Sequence, residues 1–582
     1  MEALERMLSR PTAKPYRSKN VPNTQIHLNS SGHLDFSPVG DIENPKNWSP
    51  ARRWYITIVS ICLVISSTFA SSSPSGCVNS IASHFNISVL AANLVTTLFL
   101  LGYCFGPLLW APLSEYYGRR WIFYGTYICY VIFTFLCAFT PTFGGLLVGR
   151  FLTGTFASAA LSNVPGVLAD LWPPIERGNA LCVFSMMTFA GPALGPVVSG
   201  FLELTKDWRW AFYVLLWLGG ITLVPMLTIP ETLPAQVLVN KAKRIRRAQI
   251  QGYENVQAPR EANGQKLGTI FRITLTRPWI ILFDPISFLI AIYLSIVYAL
   301  LYMSFTIYPI VFQQKRGWNS GVGELPLIGF LVGAFVAGGI VFYESTFATK
   351  KMAAGIPRAP EDRMPLAMIG GILFPVTMFW FAWSANYNSV PWIVPTLAGT
   401  FLSTSIVLVF VSYLSYLADT YMMYAASAIA ANTVCRSALG AVSPLFTEQM
   451  FDAMGVGGAG SLIGGVAVLL APIPFIFYRY GAKIRSRSKF APTESAIPQK
   501  PTTEMDQEQG RIELPTSRSG HSSSDEEKPG DYPGSGGDLD KQSNTDLENQ
   551  SNTDPEEQAP RTNRGAPPKD PYLDATGLEE AE

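Results

Sequence analysis

Twelve stretches of about 20 predominantly apolar residues run through this chain, and no other feature constrains its fold as tightly. Coiled at ~1.5 Å per residue, a segment of that length spans the ~30 Å hydrocarbon core of a bilayer. The stretches lie near residues 54–73, 91–112, 121–140, 143–168, 180–201 and 210–229, then 279–310, 325–347, 365–384, 392–416, 422–446 and 460–478. In lipid, every backbone N–H and C=O needs an internal partner, so such segments are helices. A polar stretch from residue 230 to 277 divides them six and six. Little polar sequence separates the tenth and eleventh stretches around Asp419, which leaves eleven as the alternative count.

Only 15% of the residues are charged, against about a quarter in a soluble domain. The formal net charge of +1 leaves no domain-wide basic face to neutralise phosphates, so nucleic acid is not an expected partner. The four histidines (His27, His33, His84 and His521) all lie outside the apolar stretches, and the seven cysteines show no C-x-x-C spacing. No metal or cofactor is expected, and no nucleophile–base pair marks an enzyme.

Lysine and arginine set the orientation. With the N-terminus inside, the inner loops hold Arg119 and Arg120, Arg177, the 241–247 cluster with Arg260, Lys266, Arg272 and Arg277, then Lys350, Lys351, Arg358 and Arg363. The outer loops hold only Lys206, Arg209, Lys315 and Arg316. Both termini are therefore expected to be cytoplasmic. This divides the chain into an N-terminal tail (1–50), a six-helix bundle (51–230), a cytoplasmic central loop (231–277), a second bundle (278–482) and a C-terminal tail (483–582). Residues 1–50 lack the apolar core of a signal peptide. The C-terminal tail is acidic and poor in aliphatic residues, a composition that predicts disorder. Asn86-Ile87-Ser88 is a glycosylation acceptor in the first outer loop, where it is usable.

Three glycine-and-charge signatures fall on the second to fifth stretches. Ala111–Arg120 turns the chain back into the bilayer at Gly118, with Glu115 four residues before Arg119, close enough to pair with it or with a neighbouring helix terminus, and with Arg120 following. Gly149–Gly154 sets Arg150 inside a membrane-length segment, a position costly enough to mark function, with Gly154 permitting close helix approach. Gly191–Gly200 places Gly191 and Gly195 four apart, ends at Gly200, and carries Pro192 and Pro196, which remove backbone donors and bend a helix. Arg436, in the eleventh stretch, repeats the problem of Arg150 and joins it as a candidate for proton coupling. No carboxylate occupies the centre of any stretch. Asp284, followed by Pro285, is the first candidate proton carrier on the view that Pro285 opens the helix around it, and Asp419 is the second.

With those residues in place the chain resembles the major facilitator superfamily, and within it the twelve-span drug:proton antiporters of fungi. L-S-E-Y-Y-G-R-R (113–120) resembles the superfamily's loop between helices two and three, although Ala111 stands where that pattern usually has glycine. Leu146–Gly154 resembles its fourth-helix motif, in which Arg150 would take the arginine implicated in proton coupling. Gly191–Gly200 resembles the antiporter motif of helix five. P-E-T-L (230–233), R-P-W (277–279) and A-N-T-V-C-R-S (431–437) resemble further marks of the fungal group.

The resemblance covers about residues 44–480. It implies an all-α fold of two six-helix bundles that rock about a central cavity, lined by Asn163, Tyr293, Tyr298, Tyr302, Tyr413 and Tyr416. It also implies a monomeric, proton-coupled exporter of small amphiphilic compounds (drugs, toxins or a fungal secondary metabolite) in the plasma membrane, with the vacuolar membrane as alternative; the many aromatics and few charges of that lining suit a neutral or cationic amphiphile. A nutrient or polyamine facilitator or symporter, and a receptor of the same fold that transports nothing, are the competing readings.

Overall fold

The computed structural model describes residues 26–491 apart from 30, 38–39, 249–251, 254, 263–266, 355–358 and 489. Most of the acidic C-terminal tail, with Lys266, Arg358 and His521, lies outside the described residues. Most of the described chain is helical. The crossing helices are α1 (Pro50–Ser72), α2 (Val89–Tyr117), α3 (Arg119–Phe139), α4 (Phe143–Leu171), α5 (Pro174–Glu203) and α6 (Arg209–Met226). Then come α7 (Pro285–Tyr308), α8 (Ile328–Ala353), α9 (Met364–Asn386) and α10 (Ile393–Tyr421). Local chemistry starts several of them. The hydroxyls of Ser49, Ser88 and Thr142 accept the amides of Arg52, Ala91 and Gly145 at the starts of α1, α2 and α4.

Among the described residues, eleven helical runs are long and apolar enough to cross a membrane. The last, Ala425–Arg485, has 61 residues, or about 90 Å of helix against a ~30 Å core. It breaks at Gly455, whose φ of 68° and ψ of 168° are open to glycine alone. The run is therefore two crossings, α11 (425–454) and α12 (456–485), and the merger sits here rather than at Asp419. The chain between α10 and α11 instead turns at Met422, with φ 38°. The seventh stretch also differs from its expected form. Helix Leu267–Leu282 ends before Asp284, and Pro285 opens α7 as its first residue.

The helices alternate in direction between two faces. Near-face contacts include Arg53–Glu176, Trp172–Thr57, Arg119–Asp170 and, in the second half, Arg363–Asp419 and Arg485–Glu361. Far-face contacts include Ser80–Glu203, Lys315–Asn386 and Trp318–Trp392. Large apolar side chains point outward around the bundle, Ile221 at 73% exposure and Leu469 at 78% among them, as a lipid-facing belt requires.

Close backbone approach builds the interior. On the α2–α4 seam, a Cβ on Gly102 would fall 2.5 Å from the Phe151 carbonyl oxygen, and one on Gly154 would fall 2.8 Å from the Phe99 carbonyl carbon.

The near face also carries a small core of its own. The hairpin His27–Leu28/Leu34–Asp35 packs on helix Pro234–Arg247, burying Leu34 with Leu238, Val239, Ala242, Ile245, Val256 and Ala258. A buried ion pair, Lys241 Nζ to Asp41 at 2.9 Å, ties the segment before α1 to the central loop. Burial pushes the Asp41 carboxyl up, but Lys241 and the amides of Glu43 and Ser37 outweigh it and hold it below its ordinary value.

Candidate functional site

The turn between α2 and α3 is one residue long. Gly118 sits at φ +99°, and the Glu231 carboxylate occupies the space a side chain would need. That carboxylate accepts the amides of Arg119 (2.9 Å), Arg120 (3.3 Å), Thr232 (3.1 Å) and Leu233 (2.9 Å). It caps the bare N-terminus of α3, where helix amides and dipole both favour an anion. Burial raises the Glu231 carboxyl above its ordinary pKa, opposed by those same amides.

The Arg119 guanidinium lies against Gly166, pairs with Asp170 at 3.3 Å and donates to the Ser114 hydroxyl at 2.6 Å; that hydroxyl is 2.8 Å from Asn163 Oδ1. Two expectations need correction. Glu115 is exposed and does not take Arg119, because α2 ends at Tyr117 and the four-residue spacing never falls on one helix. Asn163 serves this near-face network. Arg120 donates to the Tyr124 hydroxyl at 3.1 Å, which bonds in turn to the carbonyls of Leu227 and Ile229 after α6.

Arg150 is fully buried and turns inward, away from the bundle's edge. Its Nε donates to the Val95 carbonyl of α2 at 3.0 Å and its Nη2 to the Ala70 carbonyl of α1 at 2.9 Å, while the guanidinium lies 4.2 Å from the Phe99 ring centre. One side chain thus holds three helices together.

Beside it, α5 runs close along α1. A Cβ on Gly191 would meet the Phe69 amide at 3.0 Å, and one on Gly195 the Ser73 amide at 2.8 Å. Pro196 has no N–H to give the Pro192 carbonyl four residues back, and the Ser72 hydroxyl of the next helix fills the vacancy at 2.8 Å. Gly200, at the far end of this run, lies against the Ser320 carbonyl in the second half of the chain.

Among the described residues, polar contacts join the two halves at several points. Ser71 meets the Tyr302 hydroxyl at 2.8 Å, Thr97 donates to the Ala441 carbonyl at 2.7 Å, and Cys104 and Cys182 lean on the carbonyls of Val434 and Gly338. Arg436 sits beside this interface, buried, its guanidinium 5.1 Å from the Tyr298 ring centre and 4.7 Å from that of Phe410.

The six side chains expected to line one cavity separate into groups. Tyr298 and Tyr302, 5.1 Å apart, face the interface. Tyr293 and Tyr413, 5.2 Å apart, pack inside the second bundle, where Tyr413 and Tyr416 meet Phe477. A helix turns by about 100° per residue, so Tyr293 stands roughly 140° around α7 from Tyr298.

The candidate proton carriers lie at the near face. Asp284 is buried, accepting the Tyr421 hydroxyl at 2.5 Å and the Ser488 hydroxyl at 2.7 Å. Asp419 pairs with Arg363 at 2.9 Å and is partly exposed. Arg436 and Arg150 approach neither. Two further acids lie at the far face. Glu324 is fully buried and accepts Gln313 at 3.1 Å, while Glu203 takes the Ser80 amide at 3.2 Å. Hydropathy had marked both only as ends of stretches. Asn86 is exposed at the far face, left-handed at φ 52° as the C-cap of helix Val78–Phe85, and Ser88 caps α2.

Comparison with known proteins agrees with this architecture. A sequence profile of the Major Facilitator Superfamily matches residues 59–444. The chain is 39% identical over 474 residues to the efflux pump FUB11 of Gibberella moniliformis, covering 80% of this chain and 79% of that one. It is 38% identical over 470 residues to the multidrug transporter mdrA of Aspergillus fumigatus, covering 80% and 77%. The proton:xylose symporter XylE superimposes with a TM-score of 0.53 at 18% identity, over 74% of this chain and 96% of that one.

Proposed function

This chain belongs to the Major Facilitator Superfamily, and we propose that within it the protein is a proton-coupled exporter of small amphiphilic compounds. The observation that carries the reading is the α1–α5 seam, where a proline-freed carbonyl is taken over by Ser72 of the neighbouring helix. Such a bond breaks and re-forms without costing either helix its own ladder, which suits a joint that moves. Relatives named efflux pump and multidrug transporter support the direction.

The near face holds Arg119, Arg120, Lys350, Lys351 and Arg363, against Lys206, Arg209, Lys315 and Arg316 at the far face, a bias that supports a cytoplasmic near face; the membrane we propose is the plasma membrane. The two bundles rock about their shared interface, exposing a site near mid-depth to one face and then the other. The Glu231 cap, with the Arg119–Asp170 pair, holds the near face shut between steps. Asp284 carries the proton. Protonated, it no longer accepts both Tyr421 and Ser488, so the contacts closing the near end of α7 respond to its charge.

Expression in an efflux-deficient host, scored against a panel of toxic amphiphiles, tests this. Resistance to some of them is expected, abolished by a protonophore and by Asp284→Asn in protein that still reaches the membrane. Sensitisation instead of resistance would reverse the direction. Resistance untouched by both treatments would remove the proton and Asp284 from the mechanism.

A further inference from the structure

We propose that Arg436 is the recognition point for the acidic group of the transported compound, which makes the substrate class of this exporter amphiphilic organic anions. This inference rests on the transport reading above and opposes the neutral or cationic substrate that the aromatic-rich sequence suggests.

The placement of Arg436 comes first. It stands eleven residues into α11, roughly 17 Å along the helix and so near the middle of a ~30 Å core. The contacts of Cys104 with Val434 and Thr97 with Ala441 set this part of α11 against α2 of the other half, where an alternating-access site must lie.

Its bonding comes second. Arg436 is 7% exposed, and its Nε and Nη1 have no hydrogen-bond partner among the described residues. Arg150, by contrast, gives Nε and Nη2 to backbone carbonyls and leaves only Nη1 without a partner among the described residues. Among the described residues, the polar groups around its guanidinium include the phenols of Tyr298, Tyr302 and Tyr103. Of those, Tyr302 is bonded to Ser71 and Tyr103 to Ser67. The rings of Tyr298 and Phe410 lie within cation–π range of the guanidinium.

A buried guanidinium with unmade bonds and no acid beside it is costly, and the cost falls when an anion arrives. A carboxylate, sulfonate or phenolate on the cargo supplies that charge and takes the free N–H groups, bonds about twice as strong as neutral ones. A cationic cargo meets an unneutralised like charge. Export of an anion and entry of a proton also both carry positive charge inward, so an inside-negative membrane drives them together.

The test is ligand ranking on the purified full chain by tryptophan fluorescence, using matched probes: naphthalene-2-carboxylate, its carboxamide and naphthalen-2-ylmethylammonium, with the corresponding indole set. The carboxylates are expected to bind about tenfold or more tightly than the amides and amines. Arg436→Gln is expected to erase that preference while leaving amide affinity in place, and Arg436→Lys to keep part of it. Amides or amines binding as well as the carboxylates, no carboxylate binding in either set, or a preference that survives Arg436→Gln would each overturn the proposal. Should the Gln variant fail to fold, the wild-type ranking and the Lys variant decide. Binding is read without flux, so a protein that ranks the probes as expected but exports nothing would refute the export reading alone.

Discussion

Replacing Gly154 with alanine should destabilise the first bundle far more than an exposed helical Gly→Ala change. The added methyl would sit 2.8 Å from the Phe99 carbonyl carbon, backbone that cannot swing aside. Restoring the 3.4 Å of ordinary contact parts α2 from α4 by at least about 0.6 Å. Val95 lies one turn from Phe99 and moves with it, so the 3.0 Å bond from Arg150 Nε lengthens to about 3.6 Å, outside hydrogen-bond range.

Overpacking costs about 1–3 kcal/mol and a lost bond to a charged donor about 1.5–3 kcal/mol. Alanine's better helix propensity returns about 1 kcal/mol, leaving a net loss of roughly 2–5 kcal/mol. Gly144→Ala on the same helix is the control. It has open space around it and should be neutral or stabilising by up to ~1 kcal/mol. Thermal midpoints in detergent, read by fluorescence-detected size exclusion, decide. Equal midpoints for the two variants would refute the claim that the α2–α4 spacing holds Arg150 in place.

Two further perturbations probe the near face. Glu231→Ala strips the acceptor from four amides and should open the α2–α3 turn, seen as faster hydrogen exchange at residues 118–121; Glu231→Gln, keeping one oxygen, should lose less. Unchanged exchange in both would dismiss the cap. Asp41→Asn leaves Lys241 buried without its partner and should cost the hairpin–helix core about 3–5 kcal/mol. Because the Asp41 pKa is depressed on folding, its contribution is present above its ordinary value of 3.8 and disappears as pH falls through the lower folded value. Protection of residues 238–245 relative to their intrinsic exchange rates should therefore fall on acidification in the wild type and depend less on pH in the variant. Identical acid responses would remove Asp41 from the account.

What the sequence carried legibly was whatever depends on composition along one segment. Hydropathy located the crossings, and the small-residue spacing of Gly191 and Gly195 identified a seam. Partners brought together by folding were less visible. Glu115 looked like the mate of Arg119 because a four-residue spacing pairs on a continuous helix, yet Gly118 breaks the helix and Asp170 and Glu231 take its place. Glu231 was visible only as part of P-E-T-L. Gly455 lies among several glycines, and nothing in its neighbourhood marks which of them turns left-handed. The separation of Tyr293 from Tyr298 was readable, since the angle between them around α7 follows from spacing alone. The docking of residues 26–47 on the central loop was hidden, because its core assembles from scattered apolar residues more than 200 positions apart.

The central claim is outward transport driven by protons, and everted plasma-membrane vesicles test it most directly. With the near face outward and the lumen acidic, a compound to which the chain confers resistance should accumulate inside while the lumen turns alkaline, and Asp284→Asn should stop both. Accumulation that proceeds without proton movement, or transport only from the lumen outward, would contradict it.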